Sequence, residues 1–151
     1  MTWRTAFTNL AALAVSGVTT SYDLDELPNA LPAADLPALA PAFPPGMGLI
    51  GEAEEGLATL TYDGGAWSAA LTVDHVLYWT PAWSEAGLNT VLPALVDAVD
   101  AYLEAVSAAG TLGGALSSEL EIVAVLPGVV EYAGAKFYGV RFRHLWRRVI
   151  G

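Results

Sequence analysis

The sequence predicts a single α+β domain: a mainly antiparallel or mixed β-sheet of about four strands, two α-helices packed on it, and a proline-rich extended arm. Three patterns point there. Residues 88–109 repeat apolar side chains at i, i+3, i+4 and i+7, residues 56–79 alternate around a turn, and residues 119–149 hold two further strand patterns around Gly134. Helices covering one face of a sheet is the economical layering for that order of elements. At 151 residues, 54% of them hydrophobic, the chain can bury one sizeable core.

Residues 3–15 read as the first helix, because Trp3, Phe7, Leu10 and Ala14 fall at helical spacing and Gly17 stops the run. Arg4 ahead of a short apolar patch also has the outline of a signal peptide, but Thr8 and Asn9 interrupt that patch and favour the helix. A short extended segment follows at residues 18–22. Residues 21–45 form the arm: Pro28, Pro32, Pro37 and Pro41 forbid a continuous helix, while Leu24, Leu27, Leu31, Leu36 and Leu39 make it too apolar for a free linker. The arm is expected to lie along its own domain or a neighbouring subunit, with Asp23, Asp25, Glu26 and Asp35 available to meet the basic end of the chain. A plain surface covering pinned by its leucines is the other reading. On the first, deleting residues 23–41 weakens assembly more than it damages the hairpin or the main helix. Residues 43–51, FPPGMGLIG, read as a loop and residues 52–55, EAEE, as a solvated acidic tip.

The hairpin is the clearest local signal. Asp63-Gly64-Gly65 suits a turn with positive φ angles, and the second strand runs on through VDHVLYW to Trp79. In the main helix, Leu88, Val91, Leu92, Leu95, Val96, Val99, Tyr102, Leu103 and Val106 make one stripe expected to be buried, with Asp97, Asp100 and Glu104 off it. Asn89 is the expected cap, leaving Pro93 in the first turn, and Gly110 the stop. Residues 110–119 read as a flexible connection. In the last strand Tyr138, Val140, Phe142, His144 and Trp146 share one face, and Arg141, Arg143 and Arg147 share the other with Leu145. No internal repeat is present.

The formal charge of −10 is unevenly spread: residues 1–135 hold all 16 carboxylates and Arg4, whereas the last strand holds Lys136, Arg141, Arg143, Arg147 and Arg148 with no acid. Charge that discourages edge pairing explains this, and so does head-to-tail self-association between a basic and an acidic surface. The negative total disfavours classical DNA binding.

Catalytic motifs are missing. Only His75 and His144 occur, and Asp74 and His75, adjacent in a strand, point to opposite faces. There is no zinc-spaced histidine pair, nucleophile elbow, Ser-x-x-Lys or phosphate loop, and the absence of cysteine removes disulfides and thiolate metal sites. Glu54-Glu55 and Asp23/Asp25 are too sparse for a calcium loop. No cofactor, metal or catalytic residue is therefore expected. Trp67, Trp79, Trp83 and Trp146, with Tyr78 and Tyr138, are expected mostly in the core, with one or two serving an interface.

The helix around WRTAFTNLAALA, the arm YDLDELPNALPAADLPALAP, the strand LTVDHVLYW, the helix LPALVDAVDAYLEAV and the closing GAKFYGVRFRHLWRRV together resemble the tail terminator and related neck, head–tail joining or tail-completion proteins of long-tailed bacteriophages. The resemblance is one of layout over most of the chain, without a sharp motif. It implies a structural virion protein, made in the host cytoplasm, that forms a ring, commonly hexameric. The ring caps the tail tube and joins it to the connector, and DNA passes through its channel. The expected partners are further copies of the chain, the tail tube protein and the neck proteins, through Asp23, Asp25, Glu26, Asp35, Lys136, Arg141, Arg143, Trp146, Arg147 and Arg148. Two other readings are a stand-alone module binding a small apolar ligand or peptide on a Trp-rich sheet face, and a hydrolase using His75 or His144 with a remote carboxylate.

Overall fold

A computed structural model describes residues 2–44, 58–83 and 87–151. Of the predicted loop at 43–51 residues 45–51, and the whole acidic tip at 52–55, lie outside the described residues. Along the chain come α1 (Trp3–Ala11), β1 (Thr20–Ser21), a single 3-10 turn (Ala33–Asp35), β2 (Ala38–Ala42), β3 (Ala58–Asp63), β4 (Ala66–Pro81), α2 (Leu88–Ser107), β5 (Glu121–Tyr132) and β6 (Ala135–Ile150). The fold is α+β, with a mixed six-stranded sheet where about four strands were expected.

The sheet is built on β4 and β6, two 16-residue strands paired antiparallel from Trp67↔Ile150 to Pro81↔Phe137. β5 adds to the far edge of β6. The other edge of β4 is shared end to end: β3 takes Ala66 to Leu71, and β2 takes Asp74 to Tyr78. β1 then pairs with β2 in parallel, the one parallel ladder among the described residues. The hairpin turn is as expected, with Gly64 and Gly65 at φ +60° and +99°.

β2 is the strand the proline pattern concealed. The Tyr22 amide donates to the Leu39 carbonyl, so the backbone groups of Leu39, and of Pro41 two residues on, face away from β4. At Pro41 that outer side lies past the end of β1, where a missing N–H costs no ladder bond. The remainder of the arm covers the sheet face opposite the helices. There Tyr22, Ala38, Ala40, Val76, Tyr78, Val130 and Phe137 form a buried cluster flanked by Leu31, Leu36 and Tyr132. The Tyr132 hydroxyl donates to the Pro28 carbonyl and the Tyr22 hydroxyl to Asp35, both at 2.5 Å. The arm thus packs along its own domain, and deleting residues 23–41 would remove most of β2 and the cover of one sheet face. Loss of the fold would precede any loss of assembly.

Both helices lie on the other face. α1 is shorter than the predicted 3–15, ending at Ala11, and Thr2 and Thr5 cap it reciprocally. Its Phe7 and Leu10 pack with Leu71, Val73, Trp146 and residues Leu112, Ala115 and Leu116. Residues 110–119 are therefore not a loose connection: three of their side chains are core, and Asn9 donates to the Leu112 carbonyl at 2.7 Å. α2 begins at Leu88 behind Gly87, which makes no side-chain cap, so Asn89 is inside the helix and Pro93 is its sixth residue. Val91, Leu95, Ala98, Tyr102 and Val106 are its buried side. The predicted stripe was too broad, because Leu88, Leu92 and Val96 lie on the flank that turns to solvent.

Gly139 marks the tightest point of the central ladder. It stands opposite Tyr78, just before the register slips between Tyr78 and Thr80. A Cβ there would lie 1.9 Å from the Leu77 carbonyl oxygen and 2.8 Å from a Val130 methyl. Because the first obstacle is backbone, side-chain repacking gives no relief. Gly139→Ala is expected to cost at least about 3 kcal/mol, the upper end of overpacking, and to lower Tm by roughly 6–12 °C in a thermal melt. An unchanged Tm would refute this close approach.

Candidate functional site

The residues singled out from sequence fall into three settings, which the β4–β6 ladder separates. Asp74, fully buried on the arm side, stands opposite Arg143. Its carboxylate accepts from Arg141 Nη1 at 2.7 Å, Arg143 Nε at 2.9 Å and Arg143 Nη2 at 3.3 Å. The basic strip is thus largely spent inside the chain. A buried carboxylate is tolerable only with such compensation, and the hydrogen bonding in turn raises the Arg143 pKa. Further along β6, Arg147 pairs with Glu121 at 2.5 Å, and Arg148 lies over the Trp3 ring, 5.0 Å from its centroid. Lys136 is exposed at the β5–β6 turn, opposite Glu131. Trp146 is fully buried and packs edge-on to Phe7 at 4.9 Å, so it offers a partner no surface.

The arm carboxylates are also held locally. Thr8 donates to Asp23 at 2.7 Å, Arg4 pairs with Asp25 at 3.1 Å, the Asp23 amide donates to Glu26, and Tyr22 donates to Asp35. Asp25 thus meets a cation at the start of the chain, and Arg141, Arg143 and Arg147 take acids from β4 and β5.

On the helix side, β4 and β6 place His75 and His144 under α2, where Tyr102 joins them. The Tyr102 hydroxyl lies 2.7 Å from His75 Nδ1 and 2.7 Å from His144 Nε2, and its ring stacks on Phe142 at 3.7 Å. Trp146 Nε1 lies 3.3 Å from His144 Nδ1. An indole nitrogen only donates, which assigns the tautomers in sequence. His144 accepts at Nδ1 and donates from Nε2 to the Tyr102 oxygen. The hydroxyl then donates to His75 Nδ1, leaving a proton on His75 Nε2, which has no partner among the described residues. Burial lowers the His75 pKa well below its usual 6.5 and brings that of His144 to about 4, while pushing Tyr102 well above 10. All three are neutral and fully enclosed. This chain orders the core and ties α2 to the sheet. Sequence reasoning placed both histidines but missed Tyr102, whose available signal was a hydroxyl in the middle of a buried helical stripe.

The surface carries the remaining functional signal. β3, β4 and β6 extend beyond α1 as a tip. On its helix-side face Leu60, Tyr62, Trp67 and Ile150 are exposed by 55%, 60%, 45% and 37%, with Tyr62 and Trp67 rings 5.1 Å apart. A second apolar surface is the flank of α2, where Leu88, Leu92 and Val96 are exposed by 54%, 47% and 62%. A cleft of about 310 Å³ lies beside Ser68, Ser117 and Arg147, and no tryptophan lines it. The tryptophans therefore line no pocket there. Among the described residues, no helix is long and apolar enough to cross a membrane. No protein-family model matches the chain, and no curated protein matches it significantly.

Three outcomes follow for the interior. Tyr102→Phe removes a donor from His75 and an acceptor from His144, and is expected to cost about 2–4 kcal/mol in denaturant unfolding. Acid should do the same to the native chain. Both histidines bind protons more weakly folded than unfolded, so their contribution is complete above pH 6.5 and declines as pH falls toward 4. For His144 alone that amounts to about 3 kcal/mol across this window, read from urea midpoints at successive pH values. Flat midpoints from pH 6.5 to 4 would refute the neutral chain. Asp74→Ala, which leaves two guanidiniums without their acid, is expected to cost about 3–5 kcal/mol by the same measurement.

Proposed function

We propose that the chain is a non-enzymatic structural component of a virion, a tail terminator or adjacent head–tail joining protein. It works as a homo-oligomeric ring, commonly a hexamer, that caps the tail tube, joins it to the connector and leaves a channel for DNA. The observation that carries this reading is that separate apolar surfaces, among them the tip and the α2 flank, are exposed on one small chain. Two different surfaces suit heterologous contacts, the kind that closes rings. The layout resemblance in sequence supports the same reading. Both histidines lie in the core, bonded to Tyr102 and Trp146, which gives the hydrolase reading no accessible base.

Affinity would come from the apolar surfaces. The Arg141 and Arg143 strip, expected from the sequence to meet partners, is instead engaged with Asp74. Size-exclusion chromatography with light scattering is expected to show a concentration-dependent oligomer, and electron microscopy to show rings alone or on isolated tail tubes. A monomer at every concentration together with bare tube ends would end this reading.

A further inference from the structure

We infer that the outer edge of β3 pairs with itself: a second copy of this chain adds its own β3 antiparallel, with Leu60 on the two-fold axis. The sheet guards one edge and leaves β3 bare. β5 is interrupted by a bulge between Ile122 and Ala124 and by Pro127, and Ser117 covers the end of β6. β3 pairs only with β4, and its residues 58–62, ATLTY, hold no proline, charge or bulge. The direction of its free groups follows from the turn. Asp63 and Ala66 flank the two-residue Gly64-Gly65 loop, so they exchange both hydrogen bonds of the closing pair. Alternation then turns the backbone N–H and C=O of Ala58, Leu60 and Tyr62 away from β4. Among the described residues these outward groups have no hydrogen-bond partner.

The sequence of the strand selects the occupant. About Leu60, TLT reads the same in both directions, so a copy turned end for end sets threonine against threonine and leucine against leucine. The outward groups of Ala58, Leu60 and Tyr62 then meet those of Tyr62, Leu60 and Ala58 in the second copy, about six hydrogen bonds in all. A strand of unrelated sequence would satisfy the backbone groups without this side-chain match. Residues 58–62 carry no charge, so two chains of formal charge −10 bring no carboxylates face to face along the paired stretch. The axis stands normal to the sheet, which puts both helix-side faces on the same side. Leu60 and Tyr62, exposed by 55% and 60%, and Trp67, whose ring lies 5.1 Å from that of Tyr62, thereby join their counterparts in one apolar strip. The contact is isologous and each copy has one such edge, so pairing closes at two copies. It is additional to the heterologous contacts of the ring reading and does not rest on them.

The chain has no cysteine, so single cysteines in the full-length protein report the pairing. Across the axis the two Leu60 Cα atoms lie about 5.5 Å apart, within reach of a disulfide. The two Thr61 Cα atoms are offset along the strands to about 8 Å, beyond that reach. Under mild oxidation Leu60→Cys is expected to form linked dimers at least tenfold faster than Thr61→Cys. The same margin is expected over Val123→Cys on the guarded edge, a position exposed by a similar 52%. Leu60→Lys, which sets like charges together at the axis, is expected to weaken self-association at least tenfold in sedimentation, its far-UV spectrum unchanged. Should the lysine disturb the hairpin, the cysteine rates alone decide. Linking of Leu60→Cys no faster than Val123→Cys overturns the pairing. So does faster linking at Thr61, undiminished association of folded Leu60→Lys, or a wild-type chain that stays monomeric. Rings that form without the Leu60 link would discard this edge and leave the structural reading standing, and linked dimers that never form rings on tail tubes would do the reverse.

Discussion

The antiparallel pairing of β4 with β6 is the constraint on which the molecule depends. Two strands of 16 residues share one ladder almost end to end, so a single alternation sorts every side chain between the two faces. It sends Asp74, Arg141 and Arg143 to the arm side and His75, His144 and Trp146 to the helix side. A slip of one residue in β4 would drive a carboxylate into the helix-side core and an imidazole under the arm, and a slip in β6 would drive guanidiniums into that core and His144 under the arm. The close approach at Gly139 helps hold the register, because only at that position can the Leu77 carbonyl come so near.

Each face then solves a separate electrostatic problem. On the arm side one buried carboxylate gathers two guanidiniums, so a chain of formal charge −10 has little basic surface to offer. On the helix side no charge is admitted, and polarity is arranged as a directed chain of neutral donors and acceptors from Trp146 to His75. The apolar contacts on either side of that chain, with α1 and with α2, are distinct clusters. Tyr102 is the polar link between the second helix and the sheet they share.

Much of this was legible in the sequence, and the limits have physical causes. Period-two alternation in residues 137–147 and the glycines after Asp63 are local signals, and they placed the long strands, the turn and the opposing sides of Asp74 and His75. β2 was not legible, because ALAPA has neither a polar–apolar alternation nor β-branched residues and becomes a strand only where β4 leaves an edge unpaired. The flank of α2 was misjudged since periodicity finds an apolar stripe without saying which part faces the sheet. Likewise the five cations at the chain end looked like an interface because Asp74, about seventy residues away in sequence, gives no local sign that it will collect two of them.

The far edge of the sheet also bears on how copies of such a chain could associate. Beyond the start of β5, Ser117 seals β6: its amide donates to the Arg147 carbonyl, and its hydroxyl accepts from the Val149 amide at 2.6 Å. The outer rim of β5 is broken by a bulge between Ile122 and Ala124 and by Pro127. This rim is a poor template for adding another strand, so backbone-to-backbone growth into a fibril is blocked along it. Any contact made along this rim would fall to side chains, which can part again without unravelling the sheet.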